Sequence, residues 1–244
     1  MKFGVVRFPG SCDEVDALLA CRRFGEAELL WHGDRTVGDA DAVVIPGGFS
    51  YGDYLRAGAI ARFSPVMEAV GGFAAAGGPV LGICNGFQVL CEAGLLPGAL
   101  LTNTGRRFLC RQVEVQVASR DTIFTRACEA DQVLSVPVKH TTGRFYAPER
   151  LLDELEAEDQ VVLRYRHGQN PNGSARDVAG VVNRGRNVLG LMPHPEHAVD
   201  PLSGSTDGGR LFASLAAQVG AAGAPARPSR ATASSASPTR STSS

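Results

Sequence analysis

The chemistry in this sequence gathers around one cysteine. In PVLGICNGFQVL, Pro79 to Leu90, Cys84 follows an apolar run and precedes an amphipathic one, with Gly82 two residues before it and Gly86 two after. G-x-C-x-G has the layout of a G-x-S-x-G nucleophile elbow with sulfur in place of oxygen. Such a turn holds its nucleophile out from the end of a strand. It also places it at the start of a helix, where unpaired N–H groups and the helix dipole favour a thiolate. The N–H of Asn85 then points where a developing oxyanion would sit. The same residues also fit a core cysteine in a glycine-rich turn, so the pattern needs a base beside it.

The chain has five histidines, and His194 stands out in MPHPEH, Met192 to His197. Pro193 and Pro195 fix their own φ, and Pro195 pushes His194 towards extended geometry. In an extended segment residues two apart face the same way, which puts Glu196 beside His194 to orient its ring. Cys84, His194 and Glu196 then form nucleophile, base and orienter, the triad logic in thiol form. A rigid proline-rich turn carrying solvated polar residues is the alternative. The third element is PGGFSYGD, Pro46 to Asp53, whose adjacent glycines allow close backbone approach and can aim an N–H into a cleft.

These three segments need a scaffold that brings them together. Apolar runs at Phe3–Phe8, Ala27–Trp31, Ala42–Pro46 and Pro79–Cys84 read as strands. Helical spacing follows at Asp13–Phe24, with Val15, Leu18, Leu19 and Phe24 apolar, at Pro65–Ala76, and at Gly86–Ala93. Strands without alternation, separated by helices, predict a mostly parallel sheet covered on both faces, with ligands at the carboxyl ends of its strands. PGGFSYGD, GICNGFQ and PHPE each end such a strand, so all three converge on one edge. VEVQV (Val113–Val117) and VLSVPV (Val133–Val138) alternate more, and VVLRY, VAGVV and NVLGLM follow, predicting an added, partly antiparallel region. A last helix over Asp207–Val219, after a Ser205-Thr206 cap signal, buries Leu211, Phe212, Leu215 and Val219.

Bulk composition excludes several classes. A net charge of −1 gives no field for nucleic acid or a membrane surface. No run approaches the ~18 apolar residues of a span, and MKFGVVRFPGS turns to Pro-Gly too soon for a signal peptide, so the expectation is a cytoplasmic protein. The six cysteines show no CxxC spacing, which argues for free thiols in a reducing compartment and against a zinc site. All but Cys84 read as small buried apolar residues. Residues 1–220 form the expected domain. Residues 221–244 carry no large apolar side chain and no acid, and read as a disordered tail.

VIPGGFSYGDYLRAGAIARF, GPVLGICNGFQVLCEAGLLPGAL, NPNGSARDVAGVVN and NVLGLMPHPEHAVDPLSGSTDGGRLF resemble the glutaminase subunits of phosphoribosylformylglycinamidine synthase, which are class I, triad-type glutamine amidotransferases. The likeness runs in order over roughly residues 1–219. It implies a flavodoxin-like α/β fold and hydrolysis of L-glutamine to glutamate and ammonia through a Cys84 thioester. It further implies His194 as general base and acid, Glu196 as its partner, and the N–H groups of Gly48 and Asn85 as oxyanion hole. Gln88, Phe49 and His140 would contact substrate, and no metal is called for. The ammonia would pass to a large synthetase subunit making formylglycinamidine ribonucleotide in purine biosynthesis, with ATP and magnesium on that partner and a small third subunit beside it.

A missing partner also follows from the residues. Lys2 and Lys139 are the chain's lysines, neither lies in a G-x-x-x-x-G-K-[ST] loop, and no other phosphate cradle is evident. SYGDYLR, with Tyr51, Tyr54 and Arg56, has residue types favoured at interfaces and faces either the synthetase or the active-site loop. The chain departs from the family pattern in FPGSCDE, which lacks an asparagine, and at Ala57, where cysteine is common. It departs again at Thr141 and Thr142 of KHTTGRF, in place of Gly and Glu, and at His197, in place of arginine. Rival readings are an elbow-cysteine stress protein or deglycase, which would not need PHPE, and a catalytically idle partner-binding homologue.

Overall fold

The computed structural model describes residues 1–221, with side chains to residue 217; of the tail expected at 221–244, residues 222–244 lie outside the described residues, as does the side chain of Val219. In chain order the elements are β1 (Lys2–Arg7), α1 (Glu14–Arg22), β2 (Glu26–Trp31), β3 (Ala42–Ile45), α2 (Pro65–Ala75), β4 (Val80–Ile83), α3 (Asn85–Glu92), β5 (Ala99–Thr102), β6 (Leu109–Val117), β7 (Val133–His140), β8 (Thr142–Tyr146), α4 (Glu149–Ala157), β9 (Val161–Tyr165), β10 (Val178–Val182), β11 (Val188–Leu191) and α5 (Gly209–Ala221).

A nine-stranded sheet runs β2-β1-β3-β4-β11-β10-β9-β6-β7, and β5 pairs with β8 in a separate small sheet. From β2 through β11 every pairing is parallel. From β11 to β7 every pairing is antiparallel. The chemistry of the residues follows this division. β3, β4 and β11 are buried at every position, as expected of strands covered on both faces. β7 alternates buried and half-buried residues along most of its length. The sheet thus has the expected α/β architecture, a mixed sheet whose parallel part is continued by the added antiparallel region.

Two adjacent strand ends explain the site. β4 and β11 are hydrogen-bonded neighbours with Ile83 opposite Leu191, and the Cys84 N–H donates to the Leu191 carbonyl at 2.8 Å. The elbow cysteine and the histidine turn therefore leave the sheet side by side. The far end of the sheet also returns to this edge: the His194 N–H donates to the carbonyl of Pro137, in β7, at 2.8 Å. Proline is tolerated at that position because β7 is an edge strand.

Some expectations need correction. The buried face of α1 is Glu14, Ala17, Leu18, Ala20 and Cys21, while Val15 and Leu19 are 51% and 54% exposed. The helix packs closely through its small residues, and the Val15–Leu19 pair lies on the solvent side. Cys12 and Cys110 are exposed and Cys91 is half-buried, so of the five cysteines expected to be buried apolar residues only Cys21 and Cys128 are. β5, β8 and α4 were not expected. β5 and β8 are short, and the glycine in TGRF blurs alternation there. α5 begins at Gly209, because the Asp207 carboxylate accepts from Ser135 N–H and the Ser205 hydroxyl from Asp207 N–H, tying off a turn before the helix. Among the described residues, no helix is long and apolar enough to cross a membrane.

Candidate active site

Cys84 occupies a backbone conformation that few side chains accept, φ 50° and ψ −103°, between the end of β4 and the first residue of α3. Its flanking glycines make that turn possible. A Cβ on Gly82 would lie 2.9 Å from the Gly86 carbonyl carbon, and one on Gly86 would lie 2.0 Å from the Ile45 carbonyl oxygen. The elbow is thus wedged against β3. Cys84 is 5% exposed, and it lines a solvent-facing cleft with Cys12, Asp13, Gly48, Phe49, Asp53, Gln88, Phe108, Lys139, His140, Thr141 and Thr142. Its thiol lies 3.9 Å from the Lys139 carbonyl.

His194 is fully buried, and its Nδ1 lies 2.5 Å from Glu196 Oε1. The pairing arises differently from the sequence expectation. Pro195–His197 is a tight 3₁₀ turn, and this turn, with no extended strand, brings Glu196 back under the ring. Nε2 of His194 makes no hydrogen bond among the described residues. Burial lowers the imidazole pKa, but the Glu196 carboxylate and the Cys84 sulfur beside the ring outweigh it and raise the pKa to about 10. With Nδ1 committed to Glu196, Nε2 is the nitrogen that faces the nucleophile.

The two adjacent glycines of PGGFSYGD have separate jobs. A Cβ on Gly47 would lie 2.3 Å from Asp13 Oδ2 and 2.7 Å from His194 Cε1, so this glycine makes room for the ring. Gly48, at φ +144°, packs over Ser11 and Cys12, with a hypothetical Cβ 2.6 Å from Cys12 N. No hydrogen bond to the Gly48 N–H or the Asn85 N–H is formed among the described residues. Both are free to bind an oxyanion.

The amide side chains form a chain across the cleft. Asn85 Oδ1 accepts from Ser50 N–H at 3.1 Å, Asn85 Nδ2 donates to Gln88 Oε1 at 2.8 Å, and Gln88 Nε2 donates to the Thr142 carbonyl at 2.5 Å. Gln88 therefore ties the elbow helix to the KHTTGRF segment while lining the cleft. His140 is 3% exposed, and its Nδ1 meets Asn103 Oδ1 at 3.1 Å. Asn103 Nδ2 donates to the carbonyls of Arg107 and His140, so Oδ1 is its acceptor and the His140 proton sits on Nδ1. The remaining nitrogen, Nε2, is buried without a partner among the described residues. Burial, then the charge of His194, pushes the His140 pKa down to about 4, keeping it neutral. Phe49 is 47% exposed at the cleft mouth.

Several residues at the site went unnoticed in the sequence. Asp13 is buried, and the Lys139 ammonium is bound to it. His197 Nε2 lies 3.4 Å from the same carboxylate. Lys139 was visible as a rare lysine in an arginine-rich chain, but nothing local linked it to Asp13. Asp53 lines the cleft, and burial raises its pKa to about 6. In SYGDYLR, Tyr51 is an internal anchor, bonded to His32 Nδ1 at 2.8 Å and Ser64 Oγ at 2.9 Å, whereas Tyr54 is 74% exposed. Arg56 forms a two-pronged pair with Glu92 at 2.5 and 2.7 Å.

Comparison with known proteins places this geometry. A model of the CobB/CobQ-like glutamine amidotransferase domain matches residues 1–211. Phosphoribosylformylglycinamidine synthase subunit PurQ from Mycobacterium bovis is 58% identical over 209 residues, covering 85% of this chain and 92% of its own. The subunit of the same name from Rubrobacter xylanophilus is 57% identical over 218 residues, covering 89% and 98%. Among solved structures, a chain of PurLQS from Thermotoga maritima superposes with a TM-score of 0.82 at 40% identity, covering 89% of this chain and 98% of that one. On this evidence the chain belongs to the CobB/CobQ-like glutamine amidotransferases, within the family of PurQ subunits of phosphoribosylformylglycinamidine synthase.

Proposed function

We propose that this chain is the glutamine-hydrolysing subunit of a phosphoribosylformylglycinamidine synthase, cleaving L-glutamine and handing ammonia to a synthetase partner in purine biosynthesis. The observation that carries the chemistry is the shared edge of β4 and β11, where Cys84 and the Glu196-oriented His194 leave neighbouring strands into one cleft. The raised His194 pKa supports an imidazolium beside the Cys84 sulfur at neutral pH. The Cys84 thiolate attacks the carboxamide carbon, and the N–H groups of Gly48 and Asn85 take the oxyanion. The tetrahedral intermediate collapses as His194 donates its proton to the departing ammonia, leaving a glutamyl thioester. The now neutral imidazole accepts a proton from water as that water attacks the thioester, releasing glutamate and the thiolate. Each proton transfer is worth ~10²–10⁴ in rate.

Gln88, Phe49 and His140 would meet the substrate's amino-acid end. With no phosphate-loop motif in the sequence, ATP and magnesium belong on the synthetase, which with a small third subunit completes a cytoplasmic complex. Tyr54 and its neighbours in SYGDYLR would face that partner. The test is glutamate release from glutamine by wild type and Cys84→Ala, each alone and with the synthetase. Wild type in the complex releases glutamate and Cys84→Ala falls by at least ~10³-fold. Equal release by the variant would sink the assignment.

A further inference from the structure

The hydrolysis scheme leaves a buried carboxylate at the site without a task. Asp13 is 3% exposed, and its Oδ2 lies 3.8 Å from His194 Nδ1, on the same side of the ring as Glu196. Its Oδ1 holds the Lys139 ammonium and lies 3.4 Å from His197 Nε2. Its backbone N–H donates to the Gly47 carbonyl at 3.3 Å, one residue before the Gly48 N–H. The Lys139 carbonyl in turn faces the Cys84 sulfur. One carboxylate is therefore joined to the segments that carry the base, the nucleophile and an oxyanion donor. Glycine at position 47 is what lets Asp13 and the imidazole come together there.

The electrostatics are consistent with a dedicated arrangement. Ligand atoms of Asp13, His194, Glu196 and His197 lie within 4.8 Å of one another. Two ionised carboxylates that close and that buried would repel, and one would ordinarily take up a proton. Burial pushes the Asp13 pKa up, yet His197, Lys139 and the charge of His194 together bring it down to about 2. By reciprocity, an ionised Asp13 favours the charged form of His194. The donors are already spent on each other and on Lys139, so the cluster is an ion-pair network rather than an open cation site.

We propose that Asp13 is a positioning residue for glutamine hydrolysis: clamped by Lys139, it braces the His194 ring beside Glu196 and stabilises the imidazolium that faces the Cys84 thiolate. This rests on the Cys84–His194 reading above. The charged and titratable groups around Asp13 are Cys12, Glu14 and Asp16 from its own segment, Lys139 from β7, Cys84 from the elbow, and His194, Glu196 and His197 from the turn after β11.

The test uses Asp13→Asn, which keeps the shape and removes the charge, in the full chain assembled with the synthetase. Glutamine hydrolysis should lose on the order of ten- to a hundredfold in kcat, with KM within about threefold of wild type. Without the Asp13 charge His194 gives up its proton at lower pH, so the alkaline limb of kcat/KM should move down by about one unit. Mass-resolved alkylation of Cys84 by iodoacetamide in the chain alone should show the same downward movement. Lys139→Met should repeat the loss of kcat but without the downward move of the limb, because it removes a cation and leaves the Asp13 charge. Lys139→Arg should restore most of the rate, which decides the matter even if Asp13→Asn folds poorly. Hydrolysis by Asp13→Asn within about twofold of wild type, with an unmoved alkaline limb, overturns the proposal. So does a rate loss in Asp13→Asn with no movement of the limb, or equal defects in Lys139→Met and Lys139→Arg. An active Cys84→Ala would sink the hydrolysis reading instead.

Discussion

The two halves of the sheet contribute to the site in different ways. The parallel half, β2 through β11, places the proposed reacting groups at the ends of buried strands: the Gly48 N–H after β3, Cys84 after β4, His194 after β11. The antiparallel half and the small sheet after it supply the walls: Pro137 of β7 receives the His194 N–H, Lys139 of β7 clamps Asp13, and Thr142 of β8 receives Gln88. Neighbouring parallel strands place chemistry by adjacency alone, because their carboxyl ends share an edge. The antiparallel extension reaches the same edge only because the sheet carries β7 back to it. The first kind of placement is local in the fold, and the second depends on everything between β11 and β7.

If the halves are one cooperative unit, their contact should be costly to cut. Phe87 of α3, packed on the parallel half, and Phe145 of β8, in the small sheet that follows β7 in the chain, stack with centroids 6.1 Å apart, both 1% exposed. Gly190 and Gly98 lie beneath the two rings, where a Cβ would come within 2.1 and 2.5 Å of them. Phe145→Ala should cost about 3–5 kcal/mol in denaturant unfolding, through lost burial and the cavity left behind. The transition should stay single. A second transition in the variant would mean that the halves fold separately and that the shared core is only contact.

The parallel half can be tested at its most constrained backbone. Gly48→Ala forces a Cβ to 2.6 Å from Cys12 N at a φ of +144°, so the β3 turn must shift and the N–H with it. Losing one oxyanion donor costs ~10²–10³ in kcat. The measured KM for glutamine should change far less, because an oxyanion donor is engaged as charge develops in the transition state and hardly by the bound substrate. A variant that loses KM and keeps kcat would reverse the division between reacting groups and walls.

That division also explains what could be read from the residues. Cys84 between its glycines and PHPE after an apolar run are local patterns, and the strand ends carrying them follow from non-alternating runs such as AVVI and VLGI. The β4–β11 adjacency was the remaining step, and convergence at the carboxyl edge supplied it. Asp13 and Lys139 each stand in a segment singled out above, FPGSCDE and KHTTGRF, but 126 residues separate them and nothing local in either segment points to the other. Glu196 was placed correctly for a different reason than its spacing implied: the Pro195 turn is helical, and two residues along such a turn still bring the carboxylate to Nδ1. β5 and β8 were illegible since two short strands paired only with each other leave little pattern.

The smallest expected effect concerns α1, where periodicity misjudged the buried face. Val15 and Leu19 are one turn apart and both exposed, whereas Leu18 is 9% exposed and packs in the core. Apolar spacing alone cannot choose between these faces, because Ala17, Ala20 and Cys21 bury as well as larger residues when the helix lies close to the sheet. Leu19→Ser should therefore change unfolding free energy by no more than about 0.5 kcal/mol, while Leu18→Ala, the adjacent position, should cost about 2 kcal/mol or more. Equal costs would mean that α1 is rotated from the orientation described. That rotation would also displace Asp13 at its start, and with it the carboxylate that Lys139 and His197 share.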